Sequence, residues 1–205
     1  EKIFTKILKE KTILYGSGRT DAGVHAEGQS AHFILKSKIN NKFIFLNSVN
    51  FFLHKKKISI LKINKKKLNF HARFNAKKRE YKYIINNRLA PLSLEFNKAW
   101  HVKSTLNFGL MKQAAKLLEG NKDFSTFRSS SCNAKSPIKT LEDARVKNLG
   151  SKIIITFKSR SFLQQQVRSM VGCLKFVGEG KWNLKKFEYI INSKKRDNCA
   201  PPAPA

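Results

Sequence analysis

Short helical stripes alternate with short strand-like runs throughout this sequence, and that alternation most constrains the folds open to it. Glu1 to Glu10 carries Ile3, Phe4, Ile7 and Leu8 at helical spacing, and Thr12 to Tyr15 reads as a short strand. Gln29 to Leu35 reads as a strand, Phe43 to Leu53 as an apolar helix, and Ile58 to Ile63 as a strand. Further on, Glu80 to Asn86 alternates, with Tyr81, Tyr83 and Ile85 on one side. Leu106 to Leu118 reads as a helix stopped at Gly120, and Leu141 to Asn148 and Ile153 to Phe157 as strands paired across Gly150 and Ser151. Gln164 to Val177 is a helix with an apolar stripe of Val167, Val171, Leu174 and Val177, and Leu184 to Asn192 a shorter one. Two β-rich halves, each with helices to cover one sheet face, predict an α+β fold built on mostly antiparallel strands. The halves are expected at residues 1–70 and 71–205.

A chain of 205 residues can bury a sizeable core. Lys and Arg number 42 against 13 Asp and Glu, a formal net charge of +29, so a polyanion is the first partner to consider, nucleic acid ahead of an anionic membrane. Lys, Asn, Ile and Phe share A/T-rich codons, and base composition is a competing source of the lysine count. Each of the runs Lys55 to Lys57, Lys65 to Lys67 and Lys77 to Arg79 reads singly as solvated surface; only their sum is informative. Cys132, Cys173 and Cys199 form neither an even disulfide framework nor a CxxC pair, which fits a reducing compartment, with the cytoplasm as default. No apolar run approaches the ~18 residues of a membrane span, and the first residues show no charged region followed by an apolar stretch.

Gly16 to Gly28 breaks the pattern with four glycines among charged and small residues, a loop whose backbone can approach a ligand closely. Within Gly18-Arg19-Thr20-Asp21-Ala22-Gly23-Val24-His25-Ala26, a carboxylate stands beside an arginine on a very basic chain. An acid at an RNA surface opposes affinity, so Asp21 reads as a chemical group; the competing local reading is an aspartate that caps a turn. His25, His32 and His71 lack the spacing and the neighbouring acid or cysteine of a metal site, so no metal is expected.

That nine-residue string closely resembles the GRTDAGVHA signature of the TruA family of pseudouridine synthases. The resemblance continues through Gly28-Gln29, His32-Phe33, Phe70-His71-Ala72-Arg73-Phe74, Arg79-Glu80-Tyr81-Lys82-Tyr83, Asp123 to Arg128, Phe162-Leu163 and Gln166 to Gly172, in the family's order. It implies the pseudouridine synthase fold, two similar halves with a mostly antiparallel sheet covered by helices and an active-site cleft between them. It also implies an enzyme that breaks the bond between ribose and uracil, turns the base and rejoins it through carbon, with no cofactor.

By the resemblance, Asp21 is the catalytic carboxylate; an aspartate side chain is ionised at neutral pH and suited to attack on sugar or base. Arg168, on the apolar edge of its helix, is its partner. A target base within a stem must be extruded, and Tyr81 is matched to stacking on it and moving a proton, Arg19 to holding its vacancy open. Thr20 and His25, in the same signature, are candidate substrate contacts. Arg73, Lys77, Lys78 and Arg128 are candidates for phosphate contacts that position RNA without reading its sequence.

The implied substrate is the tRNA anticodon stem-loop at positions 38, 39 and 40, bound by a homodimer. The competing class is a non-catalytic RNA-binding or chaperone protein of the same fold; a membrane-surface protein is a distant third. Family members begin with a further strand and most of a helix and continue into a final strand, so both ends are expected to be incomplete here. Gln164 or Gln165 stands where the family carries His, which predicts a changed RNA contact with the chemistry kept.

Overall fold

The computed structural model describes residues 1–205. They form two compact units, one made of Glu1–Thr20 and Ala26–Ala76, the other of Asp21–His25 and Lys77–Ala205. The architecture is α+β with mostly antiparallel pairing.

In the first unit, helix α1 (Lys2–Leu8) and helix α2 (Lys42–Leu53) pack through Phe4, Phe45, Val49 and Leu53. Asn41 starts α2 by accepting hydrogen bonds from the Phe43 and Ile44 amides, a cap that satisfies two donors the helix itself cannot. Strands β1 (Tyr15–Gly16) and β2 (Ala31–His32) pair antiparallel over two residues only. The longer strands expected at Thr12 to Tyr15 and Gln29 to Leu35 are thereby shortened. Side chains of α1 and of Glu1 just before it take these donors: the Thr12 amide donates to Thr5 Oγ1 at 3.1 Å, and the Leu14 amide to Glu1 Oε1 at 3.0 Å.

Ile58 to Ile63 is not a strand. Asn50 of α2 replaces a strand partner, its side chain accepting from the Ile60 amide at 2.7 Å and donating to the Ile60 carbonyl at 2.9 Å. The alternation expected of a strand does not hold there: Ile60 and Ile63, three residues apart, pack on the α1/α2 core while Ile58 is exposed, and a side-chain amide meets the backbone's needs.

The second unit is built on a five-stranded sheet in the order β4-β3-β7-β6-β5. These are β3 (Arg79–Asn87), β4 (Trp100–Val102), β5 (Gly120–Asp123), β6 (Ile138–Leu149) and β7 (Lys152–Ser159), all antiparallel to their neighbours except β4, which runs parallel to β3. In β7 alternate residues Ile153, Ile155 and Phe157 are buried, the period-two pattern of a sheet covered on one face. The β6–β7 turn uses Gly150 at φ 67°, a left-handed conformation that glycine adopts at no steric cost.

Helices α3 (Phe108–Leu117), α4 (Gln166–Gly178) and α5 (Leu184–Ser193) supply the apolar side. Met111, Ala114, Ala115, Met170, Val171, Leu174, Val177 and Phe187 join Phe157 in one buried cluster. Each large side chain so buried stabilises the unit by about 1.5–3 kcal/mol. β4 and β5 lie outside the sequence reading, since Trp100-His101-Val102 is too short for a period to show and Gly120-Asn121-Lys122-Asp123 carries no apolar residue. Gly120, read as a helix stop, has φ 102° and opens β5 directly.

Candidate active site

Asp21 begins a tight turn in which the Val24 amide donates to its carbonyl at 3.2 Å, and Gly23 supplies the positive φ of 87° that this turn requires. A bulkier residue would be strained there and would also meet Ala205, whose Cβ lies 3.4 Å from where a Cβ on Gly23 would stand. The turn holds the Asp21 side chain against the start of α4. Arg168 Nη1 donates to Asp21 Oδ2 at 2.8 Å, with the two side chains 22% and 31% exposed. The carboxylate is therefore paired and partly shielded, yet open enough to be reached.

Arg168 lies in the first turn of α4, whose beginning is fixed by local chemistry. Gln165 takes a left-handed conformation at φ 60°, and the Gln166 side chain turns back to accept from the Leu163 amide at 2.8 Å. The guanidinium is held a second time, its Nε donating to the Ala203 carbonyl at 2.7 Å, while the Ala203 amide donates to the Arg168 carbonyl at 3.0 Å. The segment Ala200 to Ala205 runs extended alongside α4. It approaches so closely that a Cβ on Gly172 would stand 2.1 Å from the Pro201 carbonyl oxygen.

Tyr81 lies on β3 opposite Phe157 of β7, its ring edge-on to Phe162 with centroids 5.1 Å apart. Burial pushes its hydroxyl above the usual tyrosine range; Arg79 pulls it down and the Asp21 carboxylate pushes it up again. The phenol thus stays protonated, within the electrostatic reach of Asp21. Two residues on, Tyr83 donates to the Pro204 carbonyl at 2.8 Å, and burial raises its hydroxyl further.

Asp21, Arg168 and Tyr81 all belong to the second unit. His25 shares the Asp21 segment and is exposed, and Lys77 is exposed at the head of β3. Lys78, read as a phosphate contact, is paired with Glu142 at 2.9 Å, and the hydrogen bond to that carboxylate raises its ammonium above the usual value. Arg128 is half-buried, and its Nη2 donates to the Cys132 carbonyl at 3.1 Å. Arg19, Thr20 and Arg73 are exposed residues of the first unit. Gln164 contributes its carbonyl to the Ser129 amide at 3.0 Å. No three His, Cys, Asp or Glu side chains converge so as to hold a metal ion, and no helix is long and apolar enough to cross a membrane.

The sequence reading did not single out Ala203, Pro204, Tyr83 or Gly172 for the site. Ala203 and Pro204 act through backbone carbonyls, and Gly172 through the absence of a side chain, so residue type carries no signal for them. Phe162 stood within the family signature and could have been marked by its aromatic character alone.

Comparison with known proteins identifies the family. Residues 114–205 match the family model described as tRNA pseudouridine synthase, and the mixed sheet with its covering helices is a pseudouridine synthase domain. Over 201 residues the chain is 60% identical to tRNA pseudouridine synthase A of Pelagibacter ubique, covering 98% of this chain and 82% of that protein. It is 44% identical over 191 residues to the protein of that name from Parvibaculum lavamentivorans, covering 93% and 77%. With the one from Ehrlichia chaffeensis it shares 40% identity over 204 residues, covering 100% and 83%. The chain belongs to the tRNA pseudouridine synthase A family.

Proposed function

We propose that this protein isomerises uridine to pseudouridine in the anticodon stem-loop of tRNA, at positions 38, 39 and 40, with Asp21 as the nucleophile. The observation that carries the reading is the 2.8 Å pair between Asp21 and Arg168, with Tyr81 beside it. Arg168 holds the carboxylate aimed, because its own guanidinium is fixed from the other side by Ala203. Asp21 attacks as the bond between ribose and uracil N1 breaks; the freed base turns and rejoins the sugar through carbon, and the bond made by Asp21 breaks in that step, returning the carboxylate. That carbon loses its proton, N1 gains one, and no outside oxidant or reductant is needed.

Tyr81 serves twice in this scheme. Its ring stacks on the extruded uracil, a contact of ~1–3 kcal/mol for a base on an aromatic face, and its protonated hydroxyl helps carry the proton from carbon. Arg19 holds open the space the base leaves, while Thr20, His25, Arg73, Lys77, Lys78 and Arg128 contact the RNA. Recognition rests on shape and backbone more than on base identity, in keeping with a net charge of +29. The working assembly is a cytoplasmic homodimer, in each subunit of which Asp21, although it comes from the N-terminal part of the sequence, joins Tyr81 and Arg168 in the second unit.

The test is to incubate the protein with an unmodified anticodon stem-loop transcript and map pseudouridine, beside Asp21→Ala. Product at the stem-loop uridines that vanishes in the variant is the expected result. Binding without product from either protein would replace the proposal with a non-catalytic RNA-binding role.

A further inference from the structure

The first unit carries a row of rings that the proposed chemistry leaves unused. Tyr15 and His32 face each other across the β1–β2 pair and stack, with centroids 5.0 Å apart and planes 23° from parallel. His32 meets His71 edge-on at 4.6 Å, and His71 lies against Phe74 at 4.3 Å. Cations flank the row: the Arg73 guanidinium stands 6.0 Å from the centre of the Phe74 ring, and Lys66 Nζ 5.7 Å from that of Phe70, which itself packs on His32.

Two features separate this row from an ordinary core cluster. Its ends are open, Tyr15 being 44% and Phe74 69% exposed, whereas the rings of the adjacent core, Phe4 and Phe45, are each 6% exposed. Its two imidazoles are also held in one orientation. The Ala72 amide donates to His32 Nδ1 at 3.1 Å and the Arg73 amide to His71 Nδ1 at 3.2 Å. A ring nitrogen that accepts from an amide carries no proton, so in both rings the proton sits on Nε2, which becomes a fixed donor. The row therefore offers exposed π faces, two oriented N–H groups and neighbouring positive charge.

We propose that the Tyr15–His32–His71–Phe74 row is a stacking platform for unpaired nucleotides of the RNA substrate, distinct from the residues that handle the target uridine. Every nucleobase has a π face and carbonyl or ring-nitrogen acceptors, and every nucleotide brings a phosphate. A platform of rings, N–H donors and cations meets all three demands. Duplex RNA, whose bases are already stacked on one another, would gain nothing from it.

This inference rests on the RNA-modifying reading above, and the experiment separates the two. Binding of an unmodified stem-loop RNA and of a blunt duplex of equal length is measured by anisotropy for the wild type, Phe74→Leu, Phe74→Trp and Tyr15→Leu. Pseudouridine formation is followed in parallel. Leucine keeps apolar bulk at these exposed positions; it removes the π face at both and, at Tyr15, the hydroxyl as well. Phe74→Leu and Tyr15→Leu are expected to weaken stem-loop binding by about 5- to 150-fold, the range for one stacked base, with duplex binding unchanged. The salt dependence should also hold, since no phosphate contact is lost, and Phe74→Trp should restore affinity. A wild type that forms pseudouridine while both leucine variants bind the stem-loop normally would overturn the platform alone; a wild type that binds no RNA would overturn both readings.

Discussion

Arg168 and Ala203 are bonded in both directions: the guanidinium Nε donates to the Ala203 carbonyl, and the Ala203 amide donates to the Arg168 carbonyl. The arginine that faces Asp21 is thus clamped at both its side chain and its backbone by one residue of an extended segment. Arg168→Lys keeps the charge but cannot serve Asp21 and Ala203 together from a planar fork. The variant is expected to remain folded and to lose about 10²-fold or more in kcat, the cost of a misplaced catalytic group. Single-turnover kinetics beside a thermal melt would check it, and near-normal turnover would count against the clamp.

Gly172 tests the same segment from its other side. With the Pro201 carbonyl oxygen 2.1 Å from the site of a Cβ, Gly172→Ala must push the Ala200 to Ala205 run away from α4. Overpacking of this kind costs about 1–3 kcal/mol. Urea unfolding should show that loss, and activity should fall with it because Ala203 moves off Arg168.

Because burial raises the Tyr81 hydroxyl above its usual value of 10.0, the phenol keeps its proton throughout the neutral and mildly alkaline range. A pH profile of kcat should therefore show no alkaline fall assignable to this group below about pH 10. Tyr81→Phe retains the stacking face, so it should lower kcat by about 10²-fold or more with little change in RNA affinity. A matching loss of affinity would shift its role from proton transfer to binding.

Stability at low pH should report on Glu179, just past the end of α4. Burial pushes its carboxyl up, but ion pairs with Lys175 at 2.7 Å and Lys181 at 3.0 Å and a hydrogen bond from Ser104 at 2.6 Å outweigh that and hold it at about 2 against a usual 4.5. A carboxyl lowered on folding stabilises fully above about pH 4.5 and loses that contribution as pH falls toward 2. Glu179→Gln should cost roughly 1–3 kcal/mol at pH 7, and the gap between the two proteins should narrow over that acid range. A gap independent of pH would mean that packing, and not charge, is what the substitution removes.

The second unit was far more legible in the sequence than the first. β3, β6, β7, α4 and α5 are long, and each buries one face, so their periods appear directly in residue order. The first unit satisfies its backbone with side chains: Asn50 serves Ile60, Thr5 serves Thr12, and Glu1 serves Leu14. Apolar residues such as Ile60 and Ile63 are packed there without a strand. At the site, Asp21, Tyr81 and Arg168 were visible through their place in a family signature, and periodicity put Arg168 at the edge of an apolar stripe. The support beneath them was not, because Ala203, Pro204 and Gly172 contribute carbonyls and empty space.

Asp21 and Arg168 are separated by 147 residues, and Arg168 is held by Ala203, 35 residues later still. A ribosome adding about 5–20 residues each second needs roughly 7 to 30 s to travel from the first to the second. Through that interval the carboxylate has no partner, and the clamp on its arginine waits for a further 35 residues to emerge. A nascent chain thus carries its acid early and its means of using that acid late.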